Sequence, residues 1–171
     1  MDYTRAIQLL TWMENVINEQ NQVIARLLEM TNSKRRAIIA DDIPVLQQVS
    51  AEEEKLLARL QELESVRIRV GVELAEATGH SEPIKAEVMQ TLAAQLELDL
   101  AARLSTIIEQ FTSNYIRLME ANQQNTELLH DALNYIDSVI MVISGGAEGV
   151  TYSSQGEIGD TTMRRYLNKK V

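Results

Sequence analysis

Apolar residues recur at steps of three, four and seven positions through most of the chain, which is the spacing of one face of an α-helix. The first such stretch predicts a helix from about Tyr3 to Ala40. Its apolar face comprises Ile7, Leu10, Ile17, Ile24, Leu27 and Leu28. At about 1.5 Å per residue this helix is on the order of 55 Å long. Because intrinsic propensity stabilises so long a helix only weakly, it needs a partner along its length.

The sequence Asp41-Asp42-Ile43-Pro44 breaks this pattern, since proline disfavours a helical conformation at the residue before it. Asp41 or Asp42 can cap a second helix, which we predict from about Pro44 to Thr78. Its apolar face comprises Leu46, Val49, Leu56, Leu57, Leu60, Leu63, Val70 and Leu74. The short connection predicts that the first two helices lie antiparallel.

A second break spans Thr78 to Pro83, where Gly79 suits the left-handed position after a helix and Ser81 suits the next N-cap. The helical spacing then continues to Ser144, but a single helix of that length would outrun its partners. We therefore expect an interruption near Leu98–Ala102.

This interruption predicts a short helix over residues 82–97 and a long one over 100–144. The apolar residues of the long helix are Leu104, Ile107, Ile108, Phe111, Leu118, Leu129, Leu133, Ile136, Ile140 and Ile143. The predicted fold is all-α: an elongated antiparallel bundle of three long helices, with a short extra helix where the third segment is interrupted.

Gly145-Gly146 ends the helical pattern, and a Gly/Ser/Thr-rich segment follows. We therefore expect two regions, a helical bundle over residues 1–144 and a flexible, extended C-terminal tail over 145–171. Residues 160–168 have the spacing of a short amphipathic helix. Its apolar face would comprise Met163, Tyr166 and Leu167.

Composition narrows the class of protein. The chain has 171 residues, of which 45% are hydrophobic but only 4% aromatic, so aliphatic side chains must fill the core. It has no cysteine, which excludes disulfides, thiolate catalysis and cysteine-ligated zinc and fits a reducing compartment. We expect no signal peptide and no membrane span, because neither a basic-then-apolar start nor an apolar run of about 20 residues is present. These features predict a soluble cytoplasmic protein.

The net charge is −9, and residues 145–171 carry four basic against three acidic residues, so the rest of the chain carries −10. An acidic body repels phosphate backbones, and we expect no nucleic-acid partner. The same charge equally serves plain solubility. Four basic residues in the tail make a weak contact with lipid headgroups, so we expect no stable membrane insertion.

One pattern resembles a metal site. Glu127-Leu-Leu-His130 has the Glu-x-x-His spacing that forms half of a di-iron site in helical bundles. That chemistry needs a second such pair, and His80, the other histidine, has no glutamate three positions before it. We therefore predict no metal, no cofactor and no catalytic residues. His130 is then a histidine of the surface or of the core edge.

Two further patterns leave alternatives open. Amide side chains cluster in Glu120–Asn125 and at Asn15, Asn18, Gln20 and Asn21, where they either fix helix register from buried positions or face solvent. Val139–Ile143 is a continuous apolar run at the end of the last helix. It forms a homodimer contact, a surface for a partner helix, or ordinary core with a frayed end.

Three groups of residues, in this order and spacing, resemble the FlgN family, bacterial flagellar export chaperones for the hook–filament junction proteins. The groups are Glu54-Lys55-Leu56-Leu57 with Leu60, Leu63-Glu64 and Arg67; Asn122 with Asn125 and Leu128-Leu129; and Thr151-Tyr152 with Gly156.

The resemblance implies a cytoplasmic chaperone that binds junction proteins and delivers them to the type III export apparatus. It implies that the C-terminal segment holds the terminal helix of the cargo, and that Tyr152 contacts the membrane export-gate protein. The cargo-binding residues are then Ile140, Ile143, Met163, Tyr166 and Leu167. The alternative is a non-catalytic coiled-coil adaptor or stalk protein of a secretion system, in which the tail is only a linker.

Overall fold

The computed structural model describes residues 2–82 and 84–143, the side chain of Glu87 excepted. These residues form four α-helices: α1 Tyr3–Ile39, α2 Ile43–Thr78, α3 Ala86–Leu96 and α4 Leu98–Ile143. The predicted all-α helical fold is confirmed. The chain divides into two compact units, Met1–Thr126 and Glu127–Val171, which are described separately below. A tail that begins after residue 144 stays a prediction.

The turn between α1 and α2 brings these helices together. Asp42 is the N-cap of α2 and accepts a hydrogen bond from the Val45 amide at 3.1 Å. Of the two aspartates predicted as candidates, Asp42 and not Asp41 therefore caps the helix. Salt bridges join Arg5 to Glu73 at 3.9 Å and Glu19 to Arg59 at 2.8 Å. Residue numbers rise along α1 as they fall along α2, so the two helices are antiparallel, as predicted.

Gly79 ends α2 in the predicted left-handed conformation, with φ of 77°. The prediction of Ser81 as the next N-cap was wrong, because α3 begins only at Ala86, after Lys85. Ile84 packs against the hydrophobic core, and Lys85 has extended backbone angles. Burial of Ile84 thus holds the chain in an extended path before the helix starts.

The predicted interruption of the third helical segment lies at Glu97, one residue before the expected range. Glu97 is extended, with φ of −154° and ψ of 111°, and separates α3 from α4. Leu92 and Ala93 before this break and Leu100 after it are buried in the same core cluster. A single extended residue therefore lets two successive helices direct apolar side chains into one core.

The main core of the first unit lies where all four helices meet. Its buried members are Ala6, Leu9, Leu10, Met13, Ile17, Val70, Leu74, Met89, Leu92, Ala93, Leu100 and Leu104. Leu10, Leu74, Leu100 and Leu104 are fully buried. Burying one such side chain contributes roughly 1.5–3 kcal/mol, so this cluster is the main source of stability in the unit.

Polar contacts hold α4 against α1 through the rest of the first unit. Arg103 Nε donates to Glu14 Oε1 at 2.8 Å, and Asn114 Nδ2 donates to Asn21 Oδ1 at 2.8 Å. Further along, Asn125 donates to the Thr31 carbonyl oxygen at 2.8 Å. Residue numbers rise together on both helices, so α1 and α4 run parallel. Each helix is therefore antiparallel to α2.

The amide residues divide between the two interpretations left open by the sequence. Asn125 is buried and Asn21 is half-buried, and both hold the α1–α4 register through hydrogen bonds. Asn15 and Asn18 face solvent. A second, smaller core cluster of Ile24, Leu27 and Leu118 lies in this part of the unit, with Leu56, Leu60 and Phe111 packed against it.

Candidate functional site

The second unit presents a row of exposed apolar side chains. Every residue from Leu129 to Ile143 on α4 is exposed. Five of them follow one another at steps of four, three, four and three positions and form what we call the C-terminal stripe: Leu129, Leu133, Ile136, Ile140 and Ile143. This is the spacing of a seam that packs against another helix. The stripe therefore has the pattern of an interface and the exposure of a surface.

The apolar run Val139–Ile143 lies at the end of this stripe. Its side chains are 36–79% exposed, so it is not the ordinary core that was one of its three interpretations. A homodimer contact and a partner surface remain. Of the predicted cargo-binding residues, Ile140 and Ile143 both belong to the C-terminal stripe. The other predicted site residues lie outside the described residues: Tyr152, Met163, Tyr166 and Leu167.

A second surface lies in the first unit, between α2 and α4, and we call it the α2–α4 groove. It has a volume of about 580 Å³ and is floored by α1. Its lining residues are Gln20, Ile24, Leu57, Leu60, Gln61, Glu64, Arg67, Phe111 and Tyr115. A cavity of about 250 Å³ adjoins it toward α3 and shares Gln20, Glu64, Arg67 and Phe111 with it.

The sequence pattern missed this groove because Leu57 was assigned to the face of α2 that packs in the bundle. Leu57 is 53% exposed, whereas neighbouring Leu56 packs against the smaller core cluster. Consecutive residues of a helix point in different directions, so Leu56 and Leu57 cannot serve one partner equally. The paired leucines were therefore the available signal for a second apolar surface on α2.

One of the side chains that line the groove is buried and polar. Gln20 is only 1% exposed, and its Nε2 donates to Glu64 Oε2 at 3.0 Å. Its Oε1 has no hydrogen-bond partner among the residues that the structure describes. A buried acceptor left unpaired costs roughly 1–3 kcal/mol.

Glu64 and Arg67 form a bidentate ion pair beside Gln20. Arg67 Nε and Nη2 donate to the two carboxylate oxygens at 2.7 and 2.6 Å. These bonds lower the pKa of Glu64 below its usual range despite the opposing effect of burial, and the bond from Gln20 lowers it further. Glu64 in turn raises the pKa of Arg67. Both groups stay ionised at neutral pH, and together they carry no net charge.

The structure does not bring the histidine pattern into a metal centre. His130 is exposed, which makes it a surface histidine. His80 Nδ1 lies 2.8 Å from Thr78 Oγ1 in the turn after α2. Within residues 2–82 and 84–143, no three His, Asp or Glu side chains come together in a group that could hold a metal ion. In the helices that the structure describes, no stretch combines the length and apolar character that a membrane span requires.

Comparison with known proteins identifies the family. A family model described as FlgN protein matches residues 9–159, which is most of the chain. The chain belongs to the FlgN family. FlgN is a family of flagellar export chaperones, so this protein is a chaperone of flagellar export whose partners are export substrates. No curated protein and no solved structure matches the chain.

Membership of the FlgN family confirms the resemblance drawn from the residue groups, and it changes how the two surfaces are interpreted. A FlgN-family chaperone binds export substrates, so these proteins are the class of partner to consider for exposed apolar surface on this chain. The C-terminal stripe offers a convex helix face, and the α2–α4 groove offers a concave surface lined by both apolar and polar side chains.

Proposed function

We propose that this FlgN-family chaperone acts in the cytoplasm, binds hook–filament junction proteins as cargo, and delivers them to the flagellar export apparatus. The observation that carries the proposal is the C-terminal stripe, whose side chains are exposed at the spacing of a helix seam. Ile140 and Ile143 are its cargo-binding residues within the described part of the chain.

The physical basis of cargo binding is burial of apolar surface. The resemblance to the family implies that the ends of junction proteins are helical and that their apolar faces have no partner before assembly. Covering such a face stabilises the complex by about 25 cal/mol per Å² of apolar area removed from water. Losses of motional freedom offset part of this gain and keep the complex reversible, which an export chaperone needs.

The segment after α4 completes the proposed site. By resemblance to the family, Met163, Tyr166 and Leu167 add apolar contacts to the terminal helix of the cargo. Tyr152 contacts the export-gate protein and not the cargo. The proposal includes no cofactor and no catalysed reaction, since the export machinery supplies the energy for transport.

Titration calorimetry of the full-length chain with purified junction proteins tests the stripe. The double variant Ile140→Asp/Ile143→Asp puts two charges on it. We expect at least about tenfold weaker binding, because each isoleucine loses an apolar contact worth 1 kcal/mol or more. The melting temperature should not fall, because both side chains are exposed in the free protein.

Asn134→Asp/Ser138→Asp is the matched control, because it adds the same two charges to exposed positions of the same helix outside the stripe. We expect its affinity to stay close to that of the wild type. Equal weakening by both double variants would show a general charge effect and would contradict the assignment. Sedimentation of the free chain addresses the other interpretation, since a stable dimer that Ile140→Asp/Ile143→Asp dissociates would make the stripe a homodimer contact.

The proposed tail roles are separable. Replacing Met163, Tyr166 and Leu167 together by alanine should weaken junction-protein binding without changing the melting temperature. Tyr152→Ala should leave cargo affinity unchanged and reduce secretion of junction proteins by cells. Weaker cargo binding by Tyr152→Ala would place this tyrosine in the cargo site instead.

A further inference from the structure

The α2–α4 groove continues the space that α3 fills elsewhere in the first unit. Met89, Leu92 and Ala93 of α3 are buried in the core cluster to which α1, α2 and α4 also contribute. The cavity that adjoins the groove is lined in part by Ala86 and Met89, at the beginning of α3. The groove therefore shares lining residues with a cavity that α3 helps to line, and its own walls come from α1, α2 and α4.

We propose that the α2–α4 groove is a second docking site for the export substrate and accepts one apolar helix of it, in the manner in which α3 packs beside it. This inference rests on the proposed function, in which the chain carries such substrates. It adds a site in the first unit, formed by residues that do not overlap with the C-terminal stripe or the tail.

The two rims of the groove favour an apolar occupant. Leu57 on α2 and Tyr115 on α4 are 53% and 47% exposed, and both line the groove. Between them, Ile24, Leu60 and Phe111 form an apolar interior. Large exposed side chains around a depression are typical of helix-binding grooves, where an amphipathic helix buries its apolar face.

The buried Gln20 selects the chemistry of that helix. Gln20 Oε1 is a buried acceptor without a partner among the described residues, so a docked helix gains by placing a donor there. Serine and threonine hydroxyls and asparagine and glutamine amides are suitable donors. Glu64 and Arg67 neutralise each other at this point, so the site attracts no particular charge.

The expected occupant is therefore a helix whose buried face is uncharged and apolar except for one hydroxyl or amide. The tail of this chain also has an uncharged apolar face in its predicted short helix, Met163, Tyr166 and Leu167, and is therefore the occupant that the crosslinking test must exclude.

Calorimetry of the full-length chain with purified junction proteins tests the inference. Leu57→Glu/Tyr115→Glu places two charges on the rims, and we expect about tenfold weaker binding because a charge must be desolvated under the docked helix. Ile68→Glu/Ile116→Glu is the matched control on the same two helices, since these residues are similarly exposed and do not line the groove. Its affinity and the melting temperatures of both variants should stay near wild type.

Gln20→Leu separates recognition from stability. The substitution removes the unpaired acceptor together with the hydrogen bond from Gln20 Nε2 to Glu64, and because these two effects oppose each other the melting temperature should change little. Binding of a helix that donates to Gln20 should weaken severalfold, since one hydrogen bond is lost. Unchanged affinity in Gln20→Leu would overturn the assignment of the donor.

A photo-crosslinking residue at Leu57 identifies the occupant directly. A crosslink to the junction protein supports the inference, whereas a crosslink to a second copy or to the chain's own tail overturns it. If the wild type and Leu57→Glu/Tyr115→Glu bind junction proteins equally well, the groove is not a docking site, but the proposed function is unaffected. Failure of the wild type to bind any junction protein would overturn both.

Discussion

Apolar residues on α4 follow the same spacing in both units of the chain but differ in environment. In the first unit, Leu100 and Leu104 are fully buried beside the other three helices, and Leu118 packs against α1 residues. In the second, Ile136 and Ile143 are exposed. The comparison shows that an apolar stripe predicts an interface without saying whether the partner belongs to the same chain. In the proposed function, the uncovered stripe is where the export substrate binds.

The first unit also contains both covered and uncovered apolar surface. α3 contributes buried side chains to the main core together with the beginning of α1, whereas the α2–α4 groove lies open. The packed part supplies the stability, and the open part supplies apolar surface that the fold does not need. Substitutions in the two kinds of region should therefore separate stability from binding.

The largest expected effect comes from truncating the main core. Leu74→Ala removes a fully buried side chain and should lower the free energy of unfolding by about 2–5 kcal/mol. Leu133→Ala truncates the same residue type in the C-terminal stripe and should change the free energy of unfolding by less than about 0.5 kcal/mol. Urea unfolding followed by circular dichroism measures both. Similar losses in the two variants would mean that the stripe is already covered in the free protein.

Asparagines of α4 in the two units should also differ in their contribution to stability. Asn125→Ala removes the buried amide that donates to the Thr31 carbonyl oxygen and should cost about 1–2 kcal/mol. Asn134→Ala changes an exposed residue of the same helix and should be near neutral. Thermal unfolding of both variants checks this difference. If Asn125→Ala leaves the melting temperature unchanged, this amide does not help to hold α1 and α4 in register.

Two glycines of the packed unit should respond with opposite signs. Gly79→Ala forces a side chain onto a left-handed residue and should cost about 1 kcal/mol. Gly71→Ala adds a Cβ in the interior of α2 at 3.9 Å from the nearest atoms, Ile84 O and Met13 Cε, and should stabilise the protein by about 0.5–1 kcal/mol. Melting temperatures give the sign of each change. Destabilisation by Gly71→Ala would show that the packing around Ile84 and Met13 tolerates no added methyl.

The smallest effect concerns pH. Arg67 lowers the pKa of Glu64 in the folded state, so this carboxylate stabilises the fold above its ordinary pKa. That contribution is lost as pH falls through the lowered folded-state value. Glu64→Gln should therefore be slightly less stable at pH 7 and lose less stability than the wild type between about pH 5 and 3. Because the pair is partly exposed, the difference should be below about 1 kcal/mol. Parallel curves of unfolding free energy against pH for the wild type and Glu64→Gln would contradict a stabilising role for the Glu64–Arg67 pair.

The sequence predicted most of the fold because its signals are local. Helical spacing, the aspartate-proline turn and Gly79 define α1 and α2 almost to the residue. The N-cap at Ser81 was wrong because burial of Ile84, a tertiary effect, delays α3. Leu57 was misplaced for a related reason: periodicity assigns a residue to a face, but only the packed helices show which face is covered. The unpaired Gln20 Oε1 could not be predicted, since it depends on the distance to groups from other helices.

Hydrogen exchange of the full-length chain, free and with a purified junction protein, shows whether the cargo covers the C-terminal stripe. We expect slower exchange of the α4 amides from Leu129 to Ile143 in the complex, because the docked helix covers the stripe and suppresses local opening. The amides around Leu10 and Leu74 in the main core should change little. Unchanged exchange along Leu129–Ile143 in a complex shown to have formed would contradict the claim that this stripe holds the cargo.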